Sequence, residues 1–224
     1  MNTKTKIIVC GLLLCLLPSV AVKAQNFSRH EIRAYGSLPF GAFAKSTQTQ
    51  DMVEDGVAAS GAFLGAGLGY RYLWQFSWNV EFFAAADLFW NPSSPEQKDN
   101  FYNWSNETAP HYFNLPITVG MNLNQPFEKF TWYFNVAAGI NINQTTTTGW
   151  ADNEAKFKLG FSAAVDASLG IVLSKHYDIG LSLISLTSYT VKLKDGYSDA
   201  YSINTTSGLK RNMLMGVLYI GYIF

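Results

Sequence analysis

Long stretches of this sequence alternate strictly between two kinds of residue. In the clearest one, Trp78, Val80, Phe82, Ala84, Ala86, Leu88 and Trp90 alternate with Asn79, Glu81, Phe83, Ala85, Asp87 and Phe89. A period of two indicates a β-strand, because successive side chains point to opposite faces. These runs exceed the roughly 5–6 residues usual for soluble strands and reach the roughly 9–11 that a tilted membrane strand needs.

Eight segments of this kind follow one another along the chain. They cover approximately 30–40, 60–74, 78–91, 111–124, 130–143, 156–173, 177–190 and 211–224. The connections near 75–77, 125–129 and 174–176 are short, whereas those near 41–59, 92–110, 144–155 and 191–210 are long. In an up-and-down meander, all the long loops then lie at one rim and both chain ends at the other, as in outer-membrane barrels. The sequence predicts an all-β fold, a transmembrane up-and-down antiparallel β-barrel of eight strands.

The N-terminal residues 1–24 have the pattern of a cleaved secretory signal. Lys4 and Lys6 precede an apolar run of 11 residues, from Ile7 to Leu17. Ala24 then provides a small residue before the expected cleavage site. The apolar run is too short for a spanning helix, which needs about 20 apolar residues. We therefore expect a mature chain that forms one barrel domain over residues 25–224.

The composition of this mature chain excludes several classes of site. Both cysteines lie in the signal, so neither a disulfide nor a cysteine-based metal site is expected. The signal also contains three of the 16 basic residues, which leaves 13 against 16 acidic ones and a net charge of −3. That balance gives no reason to expect nucleic acid as a partner. The three histidines are scattered, so we expect no metal and no cofactor.

Aromatic residues gather at the ends of the predicted strands. The residues expected at the membrane interfaces are Trp74, Trp78, Trp90, Trp132, Tyr222 and Phe224. The last segment alternates up to its final residue, with Leu218, Ile220, Tyr222 and Phe224 on one face. A soluble eight-stranded barrel such as a lipocalin is the main alternative fold. The aromatic strand ends and the charges on the opposite face argue against a dry ligand cavity and for a lipid-facing exterior.

The chain resembles the eight-stranded OmpA-type outer-membrane barrels. In the fourth segment, Tyr112-Phe113-Asn114-Leu115-Pro116-Ile117 is similar to a Tyr-Leu-Glu-Ile-Pro-Leu stretch common in that family, with Asn114 in place of the acidic residue. The resemblance implies location in the cell outer membrane, in contact with lipid and lipopolysaccharide. It also implies that the barrel-assembly machinery recognises the C-terminal strand.

Charged residues on the inward face are expected to fill the lumen. An eight-stranded barrel is just wide enough for side chains to fill. The predicted polar network is Arg33, Arg71, Glu81, Asp87, Lys158 and Asp166. A hairpin symmetric about Phe76 would set Arg71 opposite Glu81. The glycines Gly61, Gly65, Gly67 and Gly69 would leave room for the rings of Tyr35, Phe63, Phe83 and Phe89. The network predicts a plugged lumen, and separately hydrated groups are the alternative.

Several functions remain open at this point. A structural or surface-interaction role without catalysis is the leading hypothesis, and a narrow pore for small solutes is the alternative. A lipid A-modifying enzyme would need His111 to act with Ser93, Ser94, Ser105 or Glu107, but no spacing connects these residues. An extracellular ligand would bind at the long loops, 41–59, 92–110, 144–155 and 191–210.

Overall fold

A computed structural model describes residues 28–45, 61–99, 111–146, 148–150, 153–155, 159–190 and 210–224. For 148–150, 153–155, 187–190 and 210–211 the description covers the backbone only. The expected signal, residues 1–24, and Lys158 lie outside the described residues. Helical structure over 95–99 follows the third strand, and no described helix is long and apolar enough to cross a membrane.

Eight long antiparallel strands form a closed barrel. They are β1 (Ser28–Phe40), β2 (Gly65–Gln75), β3 (Val80–Pro92), β4 (His111–Pro126), β5 (Phe130–Thr145), β8 (Gly160–Leu173), β9 (Tyr177–Thr190) and β10 (Lys210–Ile223). Two three-residue strands, β6 (Thr148–Trp150) and β7 (Asn153–Ala155), pair within the third long connection. The order around the barrel is β1-β10-β9-β8-β5-β4-β3-β2, with each long strand beside its chain neighbours. The predicted fold class and strand number are confirmed.

The first and last strands close the barrel. They pair antiparallel from Glu31↔Ile223 to Phe40↔Leu214. Beyond this ladder, the His30 amide donates to the Phe224 carbonyl at 2.9 Å, and the Phe224 amide donates to the His30 carbonyl at 2.9 Å. Neither strand keeps an open edge, so no row of backbone groups is left for another chain to pair with.

The outer face of the barrel is apolar. Leu68, Val119, Leu181 and Ile220 are each at least 60% exposed, and their neighbours in sequence point inward. An exposed apolar surface that continues around a closed barrel is stable in lipid, where every backbone group must be satisfied by strand pairing. The short turns lie at the rim with Ser28 and Phe224, which by the rule for such barrels is the periplasmic rim. The protein lies in the cell outer membrane.

Five of the six predicted interfacial aromatics lie on the outer face of a strand or at its end. Trp74, Trp132, Tyr222 and Phe224 are near the periplasmic rim, and Trp90 is near the opposite rim. Trp74 stacks on Phe82 with ring centroids 5.7 Å apart. Trp78 is different, because it lies in the turn before β3 and lines the inner mouth of the barrel.

The turn between β2 and β3 is longer than predicted. Ser77 Oγ accepts a hydrogen bond from the Val80 amide at 3.1 Å and donates to Asn79 Oδ1 at 2.8 Å. The resulting turn spans residues 76–79 and centres the hairpin on Trp78 instead of Phe76. Arg71 therefore lies opposite Ala85, and Glu81 lies opposite Gln75. The predicted Arg71–Glu81 pair is wrong.

One other local expectation changes in the structure. The second strand begins at Gly65, so Phe63 lies before it at the loop rim and is 45% exposed, outside the lumen. Pro116 has no backbone N–H, and the β3–β4 ladder is interrupted opposite it, between Ala86↔Ile117 and Phe89↔Asn114, without a change of register.

Candidate functional site

The lumen is the candidate site, because the inward face contains the buried charges. Its periplasmic end opens into a cavity of about 680 Å³, which we call the periplasmic vestibule. The residues that line it include Arg29, Glu31, Arg33, Gln75, Trp78, Glu81, Asn122, Asn124, Phe127, Glu128, Lys129, Phe130, Thr131, Lys175 and Asp178. Above the vestibule, side chains from opposite walls meet across the lumen.

A cluster around Arg33 forms the first barrier above the vestibule. Arg33 Nε donates to Glu31 Oε1 at 2.6 Å, and Nη2 donates to Asp178 Oδ2 at 2.5 Å and to the Tyr133 hydroxyl at 3.0 Å. Its guanidinium lies over the Tyr219 ring, 4.1 Å from the centroid. All five side chains are at most 2% exposed. Since β1 and β5 are opposite each other in the barrel, this cluster spans the lumen.

A second barrier forms around Arg71 and Phe83. Arg71 Nη2 donates to Asp166 Oδ2 at 3.3 Å, and the guanidinium lies 4.4 Å from the centre of the Phe83 ring. The Phe83 ring reaches the wall at Gly120, where an added Cβ would lie 2.5 Å from it and 2.6 Å from Ala137. Phe83 itself is fully buried. The aromatic ring and the cation together fill the middle of the lumen.

A chain of polar contacts lies below the Arg33 cluster. Arg29 Nη2 donates to Glu81 Oε1 at 2.5 Å, and Asn122 Nδ2 donates to Glu81 Oε2 at 3.0 Å. The Arg29 side chain is 35% exposed, whereas Glu81 and Asn122 are buried. This carboxylate is thus held by one partly hydrated cation and one amide.

Tyr35 and Asp87 are hydrogen-bonded above the Arg71 level. The Tyr35 hydroxyl donates to Asp87 Oδ1, and the Tyr35 ring lies 5.0 Å from that of Phe89. The room comes from Gly69, where an added Cβ would collide with Asp87 Oδ1 and the Tyr35 hydroxyl. The glycine is needed for this close approach.

We expect Gly69→Ala to destabilise the barrel by about 1–3 kcal/mol, because the added methyl forces Tyr35 and Asp87 apart. Urea titration of the protein in lipid vesicles, followed by heat-modifiable gel migration, measures the change. Gly36→Ala is the matched control, since Gly36 faces outward with nothing within 4 Å of an added Cβ. A change within about 0.5 kcal/mol is expected there. Equal losses in the two variants would contradict the crowding argument.

The extracellular end of the lumen is closed by apolar side chains. Phe43 is fully buried and meets Tyr112 edge to face, with ring centroids 5.5 Å apart. Leu186, Met213 and Met215 are also buried in this cluster. Below it, Asn91 Nδ2 donates to Ser37 Oγ at 2.9 Å, and Asn141 Nδ2 donates to Asn114 Oδ1 at 3.0 Å.

The structure locates five of the six residues predicted for the polar network. Arg33, Arg71, Glu81, Asp87 and Asp166 are all buried inside the barrel, and Lys158 lies outside the described residues. Only Arg71 and Asp166 of this set form an ion pair with each other. The partners of Arg33, namely Glu31 and Asp178, were missed by sequence reasoning. Glu31 shares the parity of Arg33 and could have been found, whereas nothing local connects Asp178 to β1.

Two of the candidate catalytic residues that the structure describes, His111 and Ser94, have hydrogen-bond partners outside the candidate set. His111 Nδ1 accepts a hydrogen bond from Trp90 Nε1 at 3.0 Å, and the two rings stack with centroids 5.6 Å apart. Ser94 Oγ accepts from the Gln97 amide at 3.1 Å, at the start of the helical segment. Ser105 and Glu107 lie outside the described residues. Among the described residues, no group of three or more His, Cys, Asp or Glu could hold a metal ion.

Comparison with known proteins finds similar folds at low identity. No protein-family profile matches the sequence, and no curated protein sequence matches it. Neisserial surface protein A aligns at a TM-score of 0.48 and 9% identity, covering 88% of this chain and 95% of that chain. Ail, the attachment invasion locus protein of Yersinia pestis, aligns at 0.48 and 14%, covering 88% and 97%. The outer membrane protein OprG from Pseudomonas aeruginosa aligns at 0.46 and 12%, covering 89% and 97%.

Proposed function

We propose that this protein is a closed outer-membrane barrel with a structural or surface-interaction role. The observation that supports it is the pair of barriers inside the lumen. The Arg33 cluster connects β1 with strands across the barrel, and Phe83 with Arg71 fills the level above it. A barrel of eight strands has little interior volume beyond its own side chains. The functional surfaces are then the outer face of the barrel, which contacts lipid, and the loops that face the cell exterior.

We propose a non-catalytic protein. The geometry of His111 supports this, because its Nδ1 already accepts from Trp90 and its Nε2 must then carry the proton. Such a ring has no free lone pair with which to activate a serine.

The proposed partners follow from the two ends of the barrel. Lipid and lipopolysaccharide would contact the apolar face and the Trp90–His111 pair at the extracellular rim. An extracellular ligand would bind at 41–59, 92–110, 144–155 and 191–210, most of which lie outside the described residues. The barrel-assembly machinery would recognise β10 and the residue after it, since Ile220, Tyr222 and the following Phe224 are exposed on the outer face.

Single-channel recording in planar bilayers tests the closed lumen. We expect no stable conductance steps from the wild-type protein and none from Phe83→Ala, since the Arg33 cluster and the apolar side chains at the extracellular end still close the lumen on both sides of the lost ring. Phe82→Ala is the matched control, because Phe82 is the adjacent phenylalanine on the opposite face of β3. Large ohmic steps from the wild type or from either variant would contradict the proposal.

A narrow passage for small solutes is the second candidate, and buried polar atoms favour it. Asn122 Oδ1, both amide atoms of Asn135 and Ser168 Oγ have no hydrogen-bond partner. These residues are neighbours across β4, β5 and β8, at Asn122↔Asn135 and Asn135↔Ser168. Buried polar atoms of this kind are usually satisfied by water. Wild-type conductance in the same recordings would favour this candidate over the closed barrel.

A further inference from the structure

Two residues that line the periplasmic vestibule each have a buried polar atom without a hydrogen-bond partner, one a donor and the other an acceptor. Arg33 uses Nε for Glu31 and Nη2 for Asp178 and Tyr133, which leaves Nη1 as a buried donor without a partner. Asn122 uses Nδ2 for Glu81, which leaves Oδ1 as a buried acceptor without a partner. Both residues line the vestibule and are at most 4% exposed. A ligand here must offer both an acceptor and a donor.

The mouth of the vestibule offers flat aromatic surfaces. Trp78 is 68% exposed in the turn before β3, although it is a large apolar side chain. Phe127 and Phe130 stack on each other across the next periplasmic turn, with centroids 4.9 Å apart, and both line the same cavity. Exposed aromatic rings around a cavity indicate a surface that binds a ligand with an apolar face.

The charges around the vestibule cancel. Arg29, Arg33, Lys129 and Lys175 face Glu31, Glu81, Glu128 and Asp178, so four cations are matched by four carboxylates. The remaining polar wall consists of amides and hydroxyls, from Gln75, Asn122, Asn124, Thr131, Tyr133 and Ser174. Such a lining has no net preference for an anion or a cation, and it favours a neutral ligand rich in hydrogen-bonding groups.

We propose that the periplasmic vestibule binds a neutral amino sugar of the N-acetylhexosamine class. The sugar ring supplies an apolar face for Trp78, and its acetamido and hydroxyl groups supply an acceptor for Arg33 Nη1 and a donor for Asn122 Oδ1. The volume of about 680 Å³ lies within the range of roughly 300–1,000 Å³ for small-ligand sites and accommodates a short oligosaccharide. This site is independent of whether the lumen conducts.

The test is a titration of the full mature chain in lipid nanodiscs with N,N′-diacetylchitobiose, followed by backbone amide NMR. Nanodiscs are required because alkyl glycoside detergents carry sugar head groups of their own. We expect saturable shifts at residues that line the vestibule. Trp78→Ala should weaken binding roughly tenfold, a loss of about 1.4 kcal/mol. Trp132→Ala is the matched control, because Trp132 lies near the same rim on the lipid face, and it should leave the affinity unchanged.

A second variant tests the polar half of the site. Asn122→Ala should weaken binding while Arg29 continues to hold Glu81, and the NMR spectrum itself reports whether the barrel is intact. Absence of saturable vestibule shifts in the folded wild type would overturn the proposal. So would binding that neither Trp78→Ala nor Asn122→Ala weakens. Tighter vestibule binding of glycylglycine than of the disaccharide would overturn the sugar assignment in favour of a zwitterionic peptide.

Discussion

Replacing Arg33 by methionine is expected to destabilise the barrel by about 3–5 kcal/mol, because it leaves the buried Glu31 and Asp178 carboxylates without their cation. Urea titration in lipid vesicles measures the change in the free energy of unfolding. Arg29→Met is the matched control, since Arg29 is the inward-facing arginine four residues earlier on the same strand. Its side chain is 35% exposed, and Glu81 keeps Asn122 as a partner. A smaller loss of about 1–3 kcal/mol is expected there, because only one buried carboxylate loses a cation and Asn122 still donates to it.

The cause of the Arg33 effect can be separated from lost packing. Adding Glu31→Gln and Asp178→Asn to Arg33→Met removes both unpaired charges and should recover much of the stability. Buried ion networks can often be replaced by neutral groups at little cost, whereas removal of one partner is expensive. A triple variant as unstable as Arg33→Met would mean that the volume and ring contacts of Arg33, over Tyr219, decide the result.

An arginine introduced at Leu183 is expected to destabilise the barrel by about 2–4 kcal/mol, since it would place a charge in the hydrocarbon core. Leu183 is the seventh of the 14 residues of β9, and it is 51% exposed on the outer face. Folding into vesicles, followed by gel migration and urea titration, measures the loss.

Tyr177→Arg is the control for the lipid-face prediction. Tyr177 begins the same strand, faces the same side and is 56% exposed at the periplasmic rim. A charge near the interface is expected to cost about 0–1 kcal/mol. Equal losses at the two positions would contradict the membrane depth assigned to β9, and no loss at Leu183 would contradict a lipid-facing exterior.

The side of the sheet to which a residue points could be predicted, but its partner could not. Glu81 and Asp87 were placed inward by parity, and both are buried. Their partners lie on other strands, so the way the barrel closes decides them. Glu81 binds Arg29 and Asn122, and Asp87 binds Tyr35. Asp178 was missed because it is the second residue of β9, next to a turn, where a carboxylate usually meets solvent. In the barrel it is buried beside Arg33 and the Tyr133 hydroxyl, both of which donate to it.

The sequence by itself determined the fold class, the number of barrel strands and the faces of the described strand residues in the segments 78–91, 130–143, 156–173 and 211–224. These follow from the period-two pattern and from turn positions, and both are local properties of the chain. Only the tertiary structure decided the register across the β2–β3 turn, the contacts that close the lumen and the mouth formed by Trp78 and Phe127. Those depend on a four-residue turn held by Ser77 and on which strands face each other across the barrel. A register shift of four residues keeps every side chain on its predicted face, so a pattern of period two cannot detect it, yet it changes the cross-strand partner of every residue in this hairpin.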